Sequence, residues 1–180
     1  NLKPLLRHFQ SDDEYFILGL SKEEFVVYKG NRYQFEKIEF DENLDMTKDE
    51  VLGTQVEGRT LNVGNYGGLD GGNYHGHNAR SEEEKIDTQR YFQYIDRFIL
   101  KYLKNPNNRP IIILGLTEHQ GEFRKISANP HIIKAGIEVS LESVRNDEKD
   151  LLKKIWTIIE PVLLEKTNDL LSRFHVNKED

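Results

Sequence analysis

Gly-Gly-Leu-Asp-Gly-Gly-Asn-Tyr-His-Gly-His-Asn-Ala-Arg, the stretch Gly67–Arg80, holds five glycines, two histidines and hardly any aliphatic side chain. Four chemistries can be written on it. The imidazoles of His75 and His77, with Asp70, could share a metal ion through ring nitrogens. An H-x-H pair supplies no evident third ligand, and two solvated histidines on a polar loop explain it as simply. The glycines could cradle a phosphate on free backbone N–H groups before a helix. The stretch matches neither G-x-x-x-x-G-K-[ST] nor G-x-G-x-x-G after a strand, and Glu82, Glu83 and Glu84, read as the first turn of the next helix, would satisfy its dipole and repel the anion. A metal-dependent nuclease would need converging carboxylates, commonly with one inside the first strand. Tyr15–Leu20 carries none, Asp12 and Asp13 precede it, and Glu118 has no evident partner. The fourth chemistry uses the backbone itself. Glycine lets a chain enter a crowded foreign site and present its amides there, while Asn, His and Arg orient a water or a ribose–phosphate. Long loops are functional or disordered, and composition leaves both open here.

The flanking elements must position this stretch. Leu2, Leu5, Leu6 and Phe9 have helical spacing, and Ser11–Asp12–Asp13 ends that helix. Tyr15–Leu20 is an unbroken apolar run, the pattern of a strand covered on both faces. Phe25–Tyr28 reads as a second strand, with Gly30–Asn31 able to turn through positive φ. Tyr33–Phe40 reads as a third, with a bulge near Glu36–Lys37 where the apolar parity changes. Thr47-x-x-Glu50 is a capping box for a short helix ending at Gly53, and Arg59–Val63 is a further short strand or an extended arm. Ser81-x-x-Glu84 is a second capping box. It opens a long helix to about Leu103 with Ile86, Tyr91, Ile95, Phe98 and Tyr102 on its inward face. After a polar turn at Asn105–Arg109, Ile111–Leu116 is a central parallel strand, and Thr117-x-x-Gln120 caps a helix to about Ser127. Ile132–Val139 contains a strand interrupted at Ala135–Gly136. Asn146 or Asp147 caps the last helix, which turns Leu152, Ile155, Trp156, Ile159 and Val162 inward and is kinked by Pro161.

This order predicts an α/β fold: a ribonuclease-H-like mixed sheet, in which an antiparallel three-strand meander is extended by parallel strands through right-handed crossovers and flanked by helices. Tyr15–Leu20 and Ile111–Leu116 should be parallel neighbours. A chain of 180 residues suits one domain with one real core. Its 31% charged residues are offset by plentiful aromatic and β-branched ones, so global disorder is not expected. Cysteine is absent, which removes disulfides, thiolate metal sites and a cysteine nucleophile. The net charge of −6 is opposite in sign to that of a protein that coats nucleic acid, so any nucleic acid would have to be met by a local surface or another domain. No apolar run reaches the length of a membrane span, and the start is not a signal peptide. The absent initiator Met and the charged end, Asn177–Lys178–Glu179–Asp180, point to a piece of a longer protein.

The segment GGNYHGHNARSEEEKIDTQRYFQYIDRFI resembles that of archaeal and eukaryotic class-1 peptide chain release factors and their bacterial relatives, in which a His-Gly-Arg-Gly-Gly-Gln loop runs into a long charged helix. RPIIILGLTEHQGEFRKI resembles the next strand and helix of that domain. LLKKIWTIIEPVLLE and PLLRHFQSDDEYFILGLSKEEFVVYKGNRY resemble the bacterial branch. The resemblance implies that residues 1–180 form the ribonuclease-H-like middle domain, with a further domain following. It implies cytoplasmic action on the ribosome and peptidyl-tRNA, in termination or ribosome rescue, by ester hydrolysis within Gly67–Arg80. Neither a metal, another cofactor, DNA nor a membrane is implied. One register puts Gly71, Gly72 and Asn73 on the family's Gly-Gly-Gln, as catalytic residues. The other matches His75–Gly76 to the family's His-Gly and puts Asn78, Ala79 and Arg80 on the triplet. Neither supplies Gln. His75, Gly76, His77, Asn78 and Arg80 are expected to contact RNA or orient the loop. A catalytically inactive module of the same fold, recognising the ribosome or a protein, is the alternative, and a free-standing hydrolase or nuclease a third.

Overall fold

The computed structural model describes residues 13–53 and 76–176. The opening helix, the Arg59–Val63 element and the glycine-rich stretch up to His75 lie outside the described residues. The sheet has five strands in the order β3-β2-β1-β4-β5, with β1 Tyr15–Leu20, β2 Phe25–Gly30, β3 Phe35–Lys37, β4 Ile111–Gly115 and β5 Ile132–Ile137. β1 pairs antiparallel with β2 and parallel with β4, and β4 pairs parallel with β5. This is the predicted ribonuclease-H-like arrangement. Every residue of β1 and β4 is buried, which is why both read as unbroken apolar runs.

The helices are α1 (48–53), α2 Gly76–Tyr102, α3 Thr117–Ile126, α4 Leu141–Asn146 and α5 Glu148–Val176. One face of the sheet presents Phe16, Leu18, Leu20, Ile111 and Ile113 to Phe92, Ile95 and Ile99 of α2 and to Phe123 of α3. The other presents Tyr15, Ile17, Ile112 and Leu114 to Val144 of α4 and to Leu151, Ile155 and Ile159 of α5.

Several expectations change in detail. β3 spans three residues and pairs with β2 in regular register, without the expected bulge. Phe35 packs on the α5 side and Ile38 and Phe40 on the α2 side, so the parity change records a chain buried on both faces. Neither Gly30 nor Asn31 adopts positive φ; Asn108 is the only described non-glycine residue that does. The Asn31 side chain makes the turn by accepting the N–H groups of Tyr33 and Gln34. Gly30 is needed for space, since a Cβ there would lie 2.7 Å from the Tyr15 ring. Thr117 is the first residue of α3, not its cap. Leu116 is the N-cap and offers no side-chain bond. β5 runs through Ala135–Gly136 without the expected interruption, and its register with β4 shifts between Ile132 and Gly136 instead. Pro161 lies inside α5, which runs on to Val176.

Candidate functional site

Two stems lead into and out of the glycine-rich stretch, and the tight β1–β2 turn grips both. Ser21 Oγ organises that turn by donating to the Glu24 carbonyl and accepting the N–H groups of Glu23 and Glu24. The first stem, residues 41–53, docks on it where Lys48 N–H donates to the Glu23 carbonyl and Glu24 bridges Thr47. The capping box forms as read: Glu50 accepts the N–H groups of Met46 and Thr47, and Thr47 Oγ1 accepts that of Glu50. These bonds lower the Glu50 carboxyl below its ordinary range, the Thr47 N–H contributing most. Val51 is buried in the core.

The second stem is α2. Lys22 of the turn lies 3.6 Å from Glu84 on it. Both side chains are largely solvated, so the pair orients more than it stabilises. Two tyrosines of α2 also hold the first stem: Tyr91 Oη donates to the Met46 carbonyl at 2.6 Å and Tyr94 Oη to that of Asp45 at 2.8 Å. Leaving and returning chain are therefore fastened to one helix and one turn. Neither tyrosine link was legible from spacing, since their acceptors are main-chain carbonyls more than forty residues away.

α2 begins at Gly76, five residues before Ser81. Ser81-x-x-Glu84 is thus interior to the helix, not its capping box, and the first turn contains no acidic residue. Glu82–Glu84 follow one turn later. Ala79 and Arg80 are good helix formers that extend the helix upstream, so the argument against an anion that placed glutamates in the first turn does not hold. Among the sequence-derived site residues, Gly71, Gly72, Asn73 and His75 lie outside the described residues. Gly76, His77 and Asn78 open α2, and Arg80 is exposed on it. Ile86, expected to face inward, is 47% exposed; the buried stripe is Tyr91, Phe92, Ile95, Phe98 and Ile99.

Beside the β1–β2 turn lies the β4–α3 corner. Gly115 passes so close to the Leu20 carbonyl that no Cβ fits. His119, in the first turn of α3, is 6% exposed, packs edge-on to Phe92, and has no hydrogen-bond partner for Nδ1 among the described residues. Burial pushes its pKa below the ordinary value. The Lys22 charge adds to this, and Glu118 and Glu122 oppose it. His131 is lowered likewise, by burial and then Lys166. Above the ordinary histidine value of about 6.5 the rings are neutral in both folded and unfolded chains. Below it the unfolded chain takes up protons first, so stability falls with pH until the depressed native values are passed. The melting temperature is therefore expected to drop between pH 7 and pH 5, and His119→Leu to recover part of the drop. An unchanged pH slope in His119→Leu would remove His119 from this account.

Among the described residues, no three His, Cys, Asp or Glu side chains gather to hold a metal ion. No described helix is long and apolar enough to cross a membrane.

The geometry is that of a ribonuclease-H-like domain in which the described chain on both sides of residues 54–75 docks on one turn and one helix. The model of bacterial archaeo-eukaryotic release factor family 6 matches residues 13–161, and the chain belongs to that family. No curated protein matches. A solved structure described as an archaeal protein is similar at 10% identity and a TM-score of 0.34, over 97% of this chain and 45% of that one. This chain thus spans less than half the length of that one.

Proposed function

We propose that this chain is the middle domain of a cytoplasmic factor that promotes hydrolysis of peptidyl-tRNA on the ribosome, in termination or ribosome rescue, through Gly67–Arg80. The observation that carries this reading is the family match, whose span of residues 13–161 includes the glycine-rich stretch and both stems. In the reaction, water adds to the ester carbonyl carbon, the bond to the tRNA ribose oxygen breaks, and that oxygen takes up a proton. Backbone amides and polar side chains of Gly71–Arg80 would hold the water, and ribosomal RNA would supply the rest of the positioning. Gly71, Gly72 and Asn73 are assigned to the reacting centre, and His75, Gly76, His77, Asn78 and Arg80 to contacts around it.

The test is single-turnover peptide release on ribosomes with an empty A site. Gly72→Val should slow release at least about tenfold, because a branched Cβ restricts φ and adds bulk where the backbone must approach closely. His77→Ala should cost less. Parent-like release by Gly72→Val would show the Gly-Gly-Asn register to be wrong. A second reading, a module that binds the ribosome or a protein without catalysis, is favoured by one observation: neither register supplies a Gln. A parent protein that binds ribosomes and releases nothing would establish it.

A further inference from the structure

The chain carries a net charge of −6, yet between Arg90 and Lys104 every exposed charged side chain is a cation. Arg90, Gln93, Arg97, Lys101 and Lys104 are all exposed along and just beyond the C-terminal half of α2. At 100° per residue Arg90, Arg97 and Lys101 fall within an arc of about 40° and extend along about 17 Å of the axis, and Lys104 follows just past the helix end. Asp96, the one carboxylate between Arg90 and Lys104, is turned inward, where it accepts from Ser127 Oγ and the Ala128 N–H. Arg90 lies 3.5 Å from Asp87. Arg97, Lys101 and Lys104 form no ion pair with any described residue.

The default for a solvated helix face is mixed sign, and α5 has it, with Asp150, Lys153, Lys154, Glu160 and Glu165 exposed and Asp150 paired to Lys154 at 2.7 Å. Cations in a last turn also serve the helix dipole. That accounts for Lys101 and Lys104 but not for Arg90 and Arg97, which lie farther back. Beside the stripe, Leu100 is 52% exposed and forms the rim of a cavity of about 200 Å³ whose wall includes Asn105, Asn129 and His131. The cavity offers an apolar surface and several hydrogen-bonding groups, the mix that takes a base splayed from a single strand.

We infer that this face of α2 binds single-stranded RNA, with Arg90, Arg97, Lys101 and Lys104 on successive phosphates and the cavity behind Leu100 receiving a base. Charge complementarity selects the polyanion, and the adjoining cavity selects an unpaired strand over a duplex, whose bases are stacked away. The surface is distinct from Gly67–Arg80 and is tested with free RNA, so its failure and that of the release reaction can be told apart.

The experiment is fluorescence anisotropy of a labelled oligouridylate of about 20 nucleotides with the full chain, between about 50 and 200 mM salt. Arg97→Glu/Lys101→Glu should weaken binding at least about tenfold and flatten the log–log salt slope by about 1.4, since each phosphate neutralised on a single strand contributes about 0.7. The reversal Lys149→Glu/Lys153→Glu on α5 changes net charge equally and should stay within about twofold of the parent. His131→Ala should weaken binding about threefold or more with the slope unchanged, because it touches a base and not a phosphate. Circular dichroism melts of each variant separate lost binding from lost folding. The inference is overturned if the parent does not bind at the lowest salt, if the α2 and α5 reversals weaken binding equally, if a duplex of the same length binds as tightly, or if a polyglutamate peptide competes as well as RNA.

Discussion

Gly115→Ala should lower the free energy of unfolding by about 3 kcal/mol, at the upper end of what overpacking in a core usually costs. Gly115 closes β4 opposite Leu20 of β1, in the middle of the sheet. The new methyl would press on the Leu20 carbonyl oxygen. That oxygen is main chain, so it cannot rotate away; one central strand must shift, and both are buried on both faces. Gly121→Ala is the matched control. It lies in α3 with nothing near the site of its Cβ, and alanine there should stabilise by up to about 1 kcal/mol through helix propensity. Urea denaturation of the two variants, compared at equal m-value, reads the contrast. Equal midpoints would show that the β1–β4 contact tolerates expansion.

Gln120→Leu should cost a further effect of similar size, about 3 kcal/mol, although it keeps the volume and the apolar stem. The Gln120 side chain donates to the Gly115 carbonyl at 2.7 Å and the Ile137 carbonyl at 3.0 Å, and accepts from Arg124 Nη1 at 3.1 Å. Arg124 in turn donates to the carbonyls of Ile133 and Ala135. Together they supply donors to the part of β5 where the register slips. Leucine would leave the buried Gly115 acceptor, the part-buried Ile137 acceptor and a part-buried guanidinium without their partner, and each unmet buried group costs about 1–3 kcal/mol. The local signature is faster amide exchange in β4 and β5 than in β1 and β2. A Gln120→Leu chain within about 0.5 kcal/mol of the parent would show that water or a shifted Arg124 replaces the amide.

This pair also shows what the sequence could and could not disclose. β1 and β4 were legible because strands covered on both faces leave unbroken apolar runs, and the ribonuclease-H-like order followed from them. The Thr47–Glu50 capping box was legible because its partners are three residues apart. Gln120 was misread as a capping partner for Thr117, because its acceptors, Gly115 and Ile137, meet only after the sheet forms. α4 was missed because six residues hold too little periodicity, though Ser140, whose Oγ accepts the Ser143 N–H, is a recognisable start. The start of α2 was placed too late because Ser81-x-x-Glu84 has the same spacing inside a helix as at its end. The stripe on α2 was hidden by the whole-chain charge, since Asp96 counts as an acid in the sequence and is turned inward in the fold. Residues 54–75, which hold most of the candidate site, lie outside the described residues.

The β1–β2 turn is a common anchor for the chain on both sides of residues 54–75. Thr47 and Lys48 on one side and Glu84 on the other are fixed to the same few residues, so the intervening chain closes a circuit that the sheet has already shut. Closure of a flexible loop becomes costlier only slowly with length, by about 0.6 kcal/mol for each doubling. By that rule, lengthening the segment between Gly53 and Gly76 is expected to cost the scaffold little. On the proposed function, a change in the triplet would alter the reaction while the five described strands keep their pairing.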